Sequence, residues 1–175
     1  EKQALSQGIV YVSEDRKKEG LVLGMSVAKN VTISSLGRFS KGQLINKKQE
    51  KESVLHYKDA MRIKTPSLDQ SVKLLSGGNQ QKVSIAKSLS TQPKILIMDE
   101  PTRGVDVGAK KEIYELMNEF KRNGLGILMI SSEIPELLGV CDRIMVMSEG
   151  KIAGVLSRDK ANSNEIMRLA IGAGV

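Results

Sequence analysis

Tryptophan is absent, and three tyrosines and two phenylalanines are the only other aromatic residues among 175. A surface that stacks unpaired bases needs aromatic faces, so this poverty argues against recognition of single strands or RNA. Cysteine occurs once, at Cys141. An internal disulfide is therefore impossible, and the usage fits a reducing compartment. No Cys-x-x-Cys pair is present to hold a structural zinc. No apolar run approaches the ~20 residues that a membrane-crossing helix needs. There is no internal repeat and no low-complexity linker. The content of 40% hydrophobic and 27% charged residues is that of a globular chain. Its 27 basic against 20 acidic residues leave a net charge of +7, which permits an anionic partner without naming one.

Four short apolar runs are present: Ile9–Val12, Ile95–Met98, Ile127–Ile130 and Ile144–Met147. Continuous apolarity predicts strands covered on both faces, as in a parallel sheet. Helical patterns between the last three give the spacing of strand–helix–strand units. The best-defined helix runs from Asp106 to Asn123. Ile113, Leu116, Met117 and Phe120 recur at its helical period, and Asn123-Gly124 supplies a stop. A shorter helix is predicted from Glu133 to Leu138, a turn at Ser148-Glu149-Gly150 with a returning edge strand, and a last helix capped by Asn162 or Ser163. From about Val27 to Leu89 the pattern is helical and polar, with Val54, Tyr57 and Met61 on one stripe. It reads as a helical insertion after the first strand.

Two motifs carry chemistry. In Leu75-Ser76-Gly77-Gly78-Asn79-Gln80-Gln81 the glycines let the backbone approach a ligand, and a helix starts near Asn79. Its unpaired N–H groups and the Ser76 hydroxyl suit a phosphate. Taken alone, the same stretch is an ordinary glycine turn before a capped helix. In Ile95-Leu96-Ile97-Met98-Asp99-Glu100 two carboxylates end a buried strand, where open α/β sheets place ligands. Asp99 can hold Mg²⁺, and Glu100 can orient or deprotonate a water. Pro101 to Asp106 then stop the strand, bend at Gly104 and reach Asp106, a candidate cap or interface contact.

Together, LSGGNQQKV and ILIMDEPTRGVD resemble the ATP-binding cassette family. Ser76 to Gln81 match its signature loop, Asp99 and Glu100 its Walker B pair, and Arg103 to Asp106 its D-loop, with Arg-Gly-Val-Asp where Ser-Ala-Leu-Asp is usual. Tyr11 to Lys17 and Pro101 to Lys110 are similar to the second cassette of bacterial monosaccharide importers, with the ribose type nearest. The resemblance implies an α/β fold: a partial RecA-like core (1–26 and 91–175) with a mostly parallel sheet, and an inserted helical subdomain (27–90). It implies a subunit that hydrolyses ATP with Mg²⁺ to drive sugar uptake, peripheral on the cytoplasmic face of the membrane. Its implied partners are a second cassette, membrane permease subunits and, indirectly, a sugar-binding protein, with no nucleic acid. The implied nucleotide contacts are Ser76, Gly77, Gly78, Gln80 and Asp106. Glu100 is the implied base, and Asp99 with Glu14, at the Q-loop position, the implied metal ligands.

Three departures shape the expectation. No G-x-x-x-x-G-K-[ST] phosphate loop occurs in the sequence. In the family that loop precedes the Glu14 segment, so the chain is expected to be about the last two-thirds of a cassette. By itself it is expected to bind ATP weakly, to be inactive and to expose apolar surface. Glu14 stands where the family has Gln, which adds negative charge near the phosphates. Ser132 stands at the switch-His position and cannot supply an imidazole. That favours a second reading, a non-catalytic or regulatory nucleotide-binding half. A DNA-repair or translation ATPase of the same family is a third, supported by basic charge alone. The single histidine, His56, is read as a surface residue and Cys141 as an inert thiol.

Overall fold

The computed structural model describes residues 2–42 and 44–172. The chain forms two units, Glu1–Ile130 and Ser131–Val175. In the first, α1 (Lys2–Ser6) leads to β1 (Ile9–Val12), and a π-helical turn, Arg16–Gly20, follows. Then come α2 (Val27–Thr32), the hairpin strands β2 (Ser40–Lys41) and β3 (Leu44–Ile45), α3 (Lys47–Ala60) and α4 (Gly77–Leu89). The unit closes with β4 (Ile95–Asp99), α5 (Val107–Arg122) and β5 (Gly126–Ile130).

Three of the four apolar runs form one parallel sheet in the order β1-β4-β5, with Val10 opposite Leu96 and Leu96 opposite Ile127. The crossovers between its strands are long and contain helices, as parallel pairing requires. Burial does not follow the expectation of two covered faces. Val10, Val12, Leu96 and Met98 are buried, whereas Tyr11, Ile95, Leu128 and Ile130 are exposed. The strands are apolar on both faces, but α4 packs against β1, and α5 against α4 and β5, so the described residues cover one face. Val83, Ile85 and Ala86 of α4 and Ile113, Leu116 and Met117 of α5 are all buried.

The 27–90 segment holds three α-helices and, where a loop around Phe39 to Ile45 is expected, the short β2–β3 hairpin. Its helices α2, α3 and α4 pack on one another, and Val27, Val31, Val54, Met61 and Val72 are almost fully buried. The Tyr57 hydroxyl on the predicted stripe donates to the Leu89 carbonyl at 2.9 Å. The predicted start of α5 is observed: the Asp106 carboxylate accepts from the Ala109 amide at 2.9 Å. Its stop is observed too, with Asn123 at the C-cap and Gly124 at φ +86°.

The second unit contains α6 (Ile134–Val140), β6 (Arg143–Ser148), β7 (Lys151–Ser157) and α7 (Ser163–Ala170). Here the reading of Ile144–Met147 as a covered strand of the parallel sheet is corrected. Among the described residues β6 pairs only with β7, antiparallel, through a tight turn with Glu149 at φ +49° and Gly150 at φ +77°. Ile144 and Val146 pack with Ile166 and Leu169 of α7, while Met145 and Met147 are exposed. A run of four apolar residues looks the same in either setting. Asn162 caps α7 by accepting from the Glu165 amide at 3.0 Å. Among the described residues, no helix is long and apolar enough to cross a membrane.

Candidate functional site

The glycine-rich motif forms the start of α4. Ser76 is its N-cap, and the helix begins at Gly77, two residues before the expected Asn79. The Ser76 hydroxyl oxygen accepts from the Asn79 amide at 3.4 Å and from its side-chain Nδ2 at 3.0 Å. Ser76 is exposed, and its O–H remains a donor for a ligand in front of the helix. The first-turn amides and the positive helix end face the same way.

Both glycines are required by contact. A Cβ on Gly77 would lie 2.9 Å from the Gly104 carbonyl oxygen, and one on Gly78 would lie 2.5 Å from the Ala109 Cβ. The glycine loop is therefore pressed against the turn that follows β4 and against the first turn of α5. Ser76 and Gly78 line a cleft of about 320 Å³ with Asn79, Asp106, Lys82 and Glu112. Gly78→Ala should push α4 away from α5. The overpacking costs ~1–3 kcal/mol and the gain in helix propensity returns ~1, so a net loss of up to ~2 kcal/mol is expected. Chemical denaturation measures it.

The acidic pair ends β4. Asp99 is half-buried, and its Oδ2 accepts from the Tyr11 hydroxyl on the neighbouring strand at 2.7 Å. That hydrogen bond, with some desolvation and the Asp99 charge, raises the Tyr11 pKa above its usual value. Glu100 follows at φ +42°, a left-handed conformation that a side-chain-bearing residue adopts at a cost. Two backbone bonds hold it there: its amide donates to the Ile130 carbonyl at 2.9 Å, and its carbonyl accepts from the Arg103 amide at 3.0 Å. Pro101 and Thr102 are buried behind it, so the turn is anchored on one side and open at Arg103 and Gly104.

The other expected residues are placed as follows. Glu14 forms an ion pair with Arg103. Together with Arg16, Lys17 and Gly104 this pair lines a second cleft of about 200 Å³. Gln80 turns inward, with its Nε2 donating to the carbonyls of Val72 at 3.2 Å and Leu75 at 3.3 Å. Its Oε1 is buried with no hydrogen-bond partner. The polar side chain on the open side of the helix start is Asn79. Ser132 belongs to the second unit, where it is exposed just ahead of α6. Thus Ser76, Gly77, Gly78 and Asp106 come together, Asp99 and Glu100 share one strand end, and Glu14 joins the turn between them. His56 is exposed and Cys141 partly buried.

Four features escaped the sequence reading. Arg16, within a polar run, is buried and donates to the backbone of the turn. Lys82 is buried and ion-paired with Glu112. Asn79 ties the loop to residue 64, accepting from the Lys64 amide at 2.8 Å. Tyr11 reaches Asp99. Only the last had a usable signal, since Tyr11 and Asp99 lie near the ends of apolar runs that pair in register.

The donor set suits a cation that takes most of its oxygens from phosphate and water. Asp99 offers one carboxylate at a strand end. Among the described residues, no three His, Cys, Asp or Glu side chains gather to hold a metal by themselves.

Comparison with known proteins bears directly on this arrangement. The family model described as "ABC transporter" matches residues 1–103. Ribose import ATP-binding protein RbsA of Clostridium perfringens, in strains SM101 and 13, is 57% identical over 170 residues. The match covers 97% of this chain and 34% of each relative, so the chain spans about a third of their length. The ATP-binding cassette MJ1267 superposes with a TM-score of 0.78 at 22% identity, over 95% of this chain and 70% of that one. The cbiO1 protein of Clostridium perfringens, part of the complex cbiONQ, gives 0.76 at 24% identity, over 94% and 63%. The cassette MJ0796, in a dimeric structure bound to ADP and Pi, gives 0.72 at 20% identity, over 87% and 63%. At these identities the likeness establishes the fold, which is RecA-like with a helical subdomain. On its motifs, its fold and the family match, the chain belongs to the ABC transporter family.

Proposed function

We propose that this chain supplies the signature loop and the acidic pair of an ATP-hydrolysing cassette in a monosaccharide importer, with ribose as the sugar. The observation that carries the proposal is the packing of the Ser76–Gly78 loop against the turn that joins Glu100 to Asp106. One rigid block then offers a phosphate-binding helix start and an acidic strand end. The high identity to RbsA proteins supports the choice of sugar.

In this reading two cassettes meet, and the Ser76 loop addresses a nucleotide held by the other. The Ser76 hydroxyl and the first amides of α4 donate to its terminal phosphate oxygens, where negative charge is spread in the transition state. Gly77 and Gly78 allow the close approach. Glu100 accepts a proton from the attacking water or orients it. Asp106 fixes the start of α5 beside the loop. Magnesium, when bound, supplies charge neutralisation to the phosphates, and Asp99 is the residue placed to hold it. The ion pair with Arg103 favours a loop-anchoring role for Glu14 over direct ligation, and the inward turn of Gln80 favours a structural role there. The same proposal places the assembly at the cytoplasmic face of the membrane with permease subunits. It divides the chain into a core of 1–26 and 91–175 and a helical subdomain of 27–90.

The absence of a phosphate loop within these 175 residues supports a corollary: alone, they bind ATP weakly and do not turn it over. Calorimetry checks this, and submicromolar affinity would contradict it. A non-catalytic or regulatory nucleotide-binding half is the second reading, favoured by Ser132 at the switch position. The proposal as a whole is tested by magnesium-dependent ATP hydrolysis and ribose uptake with the intact subunit. Loss of both on Ser76→Glu is expected, and retention of both would refute it.

A further inference from the structure

Arg16, in the π-helical turn after β1, is buried, 9% exposed as a residue, in a stretch otherwise rich in exposed charge. Its Nη1 donates to the Arg103 carbonyl at 2.7 Å and its Nη2 to the Gly104 carbonyl at 3.1 Å. Two consecutive peptide oxygens are thus held by one rigid fork, a geometry that the single-point ammonium of lysine cannot reproduce. The same Nη2 lies 3.1 Å from the place a Cβ on Gly77 would occupy. Arg16 therefore touches both partners of the contact between the glycine loop and the 101–106 turn. Its own position is fixed from behind, because Asp15 caps the π-helical turn through the amides of Lys17 and Lys18, each at 3.1 Å.

The turn needs such a hold. It starts at Glu100 in a strained conformation and contains Gly104 at φ +64°, while Arg103 and Gly104 face solvent. Another tie to this side is the ion pair of Glu14 with Arg103, whose side chains are 38% and 68% exposed. Pairs so exposed contribute little, whereas charge-assisted bonds from a buried guanidinium contribute more. Of these two links the stronger is Arg16.

We propose that Arg16 is a positioning residue for hydrolysis: by gripping the carbonyls of Arg103 and Gly104 it sets the turn between Glu100 and Asp106 against the Ser76–Gly78 loop. It thereby couples the segment after β1 to both halves of the site. The proposal rests on the ATP-hydrolysing reading above, and its test separates the two.

In the intact subunit, Arg16→Lys keeps the charge and most of the stem but loses the fork, and Arg16→Met keeps bulk alone. Both should lower kcat about 10- to 100-fold with KM for ATP within about threefold, because alignment and not binding is lost. Amide hydrogen exchange at Arg103 and Val105, whose N–H groups close the turn, should quicken about 10-fold, with β4 and α4 unchanged. Wild-type kcat and exchange in Arg16→Lys would overturn the proposal. So would exchange that rises uniformly through the first unit, since that is loss of general stability. If Glu100→Gln leaves hydrolysis unaltered, the reading of the site fails instead, and the exchange measurement still decides whether Arg16 holds the turn.

Discussion

Replacing Glu100 by Gln in the intact subunit is expected to slow ATP hydrolysis by about 10²- to 10⁴-fold, the range of a positioned general base. ATP binding should be retained or tightened, because the substitution removes one negative charge near the phosphates and keeps the size of the side chain. The backbone geometry is also kept: the left-handed φ at Glu100 is held by main-chain bonds to Ile130 and Arg103, which Gln preserves. A general loss of structure is therefore not the expected cause of slowed turnover. Single-turnover kinetics with trapped ATP measure the effect. Unchanged turnover would remove Glu100 from the chemistry and favour the regulatory reading.

The second large effect is on stability. The Lys82 side chain is 2% exposed and ion-paired with Glu112, which is 33% exposed. The Lys82 ammonium also donates to the Arg62 carbonyl at 3.2 Å. The two partners are unequal. Glu112→Ala strands a buried ammonium with a single carbonyl, and a cost of ~3–5 kcal/mol is expected. Lys82→Met leaves a carboxylate that reaches solvent and fills the vacated volume, so ~1 kcal/mol is expected. Denaturation midpoints should fall in that order, and the reverse order would show that the lysine is less buried than described. The hydrogen bond from Lys82, aided by its charge and those of Lys64 and Arg62, holds the Glu112 carboxyl below its ordinary value of 4.5. A lowered carboxyl stabilises the fold fully above that ordinary value and progressively loses this contribution as pH falls through the lower folded-state value. Glu112→Gln should remove that part of the acid sensitivity.

Much of the fold could be read directly because local rules act on neighbouring residues. Asp106, Asn123 and Gly124 bound α5 through capping and backbone preference, and Asn162 does the same for α7. The three parallel strands followed from apolar runs separated by helices. The fourth run misled because four consecutive apolar residues look the same in a parallel strand and in an antiparallel hairpin, and Ile144 to Met147 form the latter. At the site, the residue types of Ser76, Gly77, Gly78, Asp99, Glu100 and Asp106 carry their chemistry openly. Arg16, Lys82 and Gln80 do not. Each is polar by sequence yet buried, and its burial depends on chain segments brought together only by folding: residue 16 meets residues 103 and 104, and residue 82 meets residue 112. No periodicity or spacing encodes those meetings. The inward turn of Gln80 likewise depends on the carbonyls of Val72 and Leu75 just ahead of the helix.

The central claim is that the glycine loop serves a nucleotide held by a second cassette. It is tested most directly by a structure of the intact Glu100→Gln subunit with magnesium and ATP. The Ser76 hydroxyl and the first amides of α4 should lie within hydrogen-bond distance of the terminal phosphate of a nucleotide seated on the facing cassette. A bound nucleotide with the Ser76–Gly78 loop facing solvent on both cassettes would contradict the account.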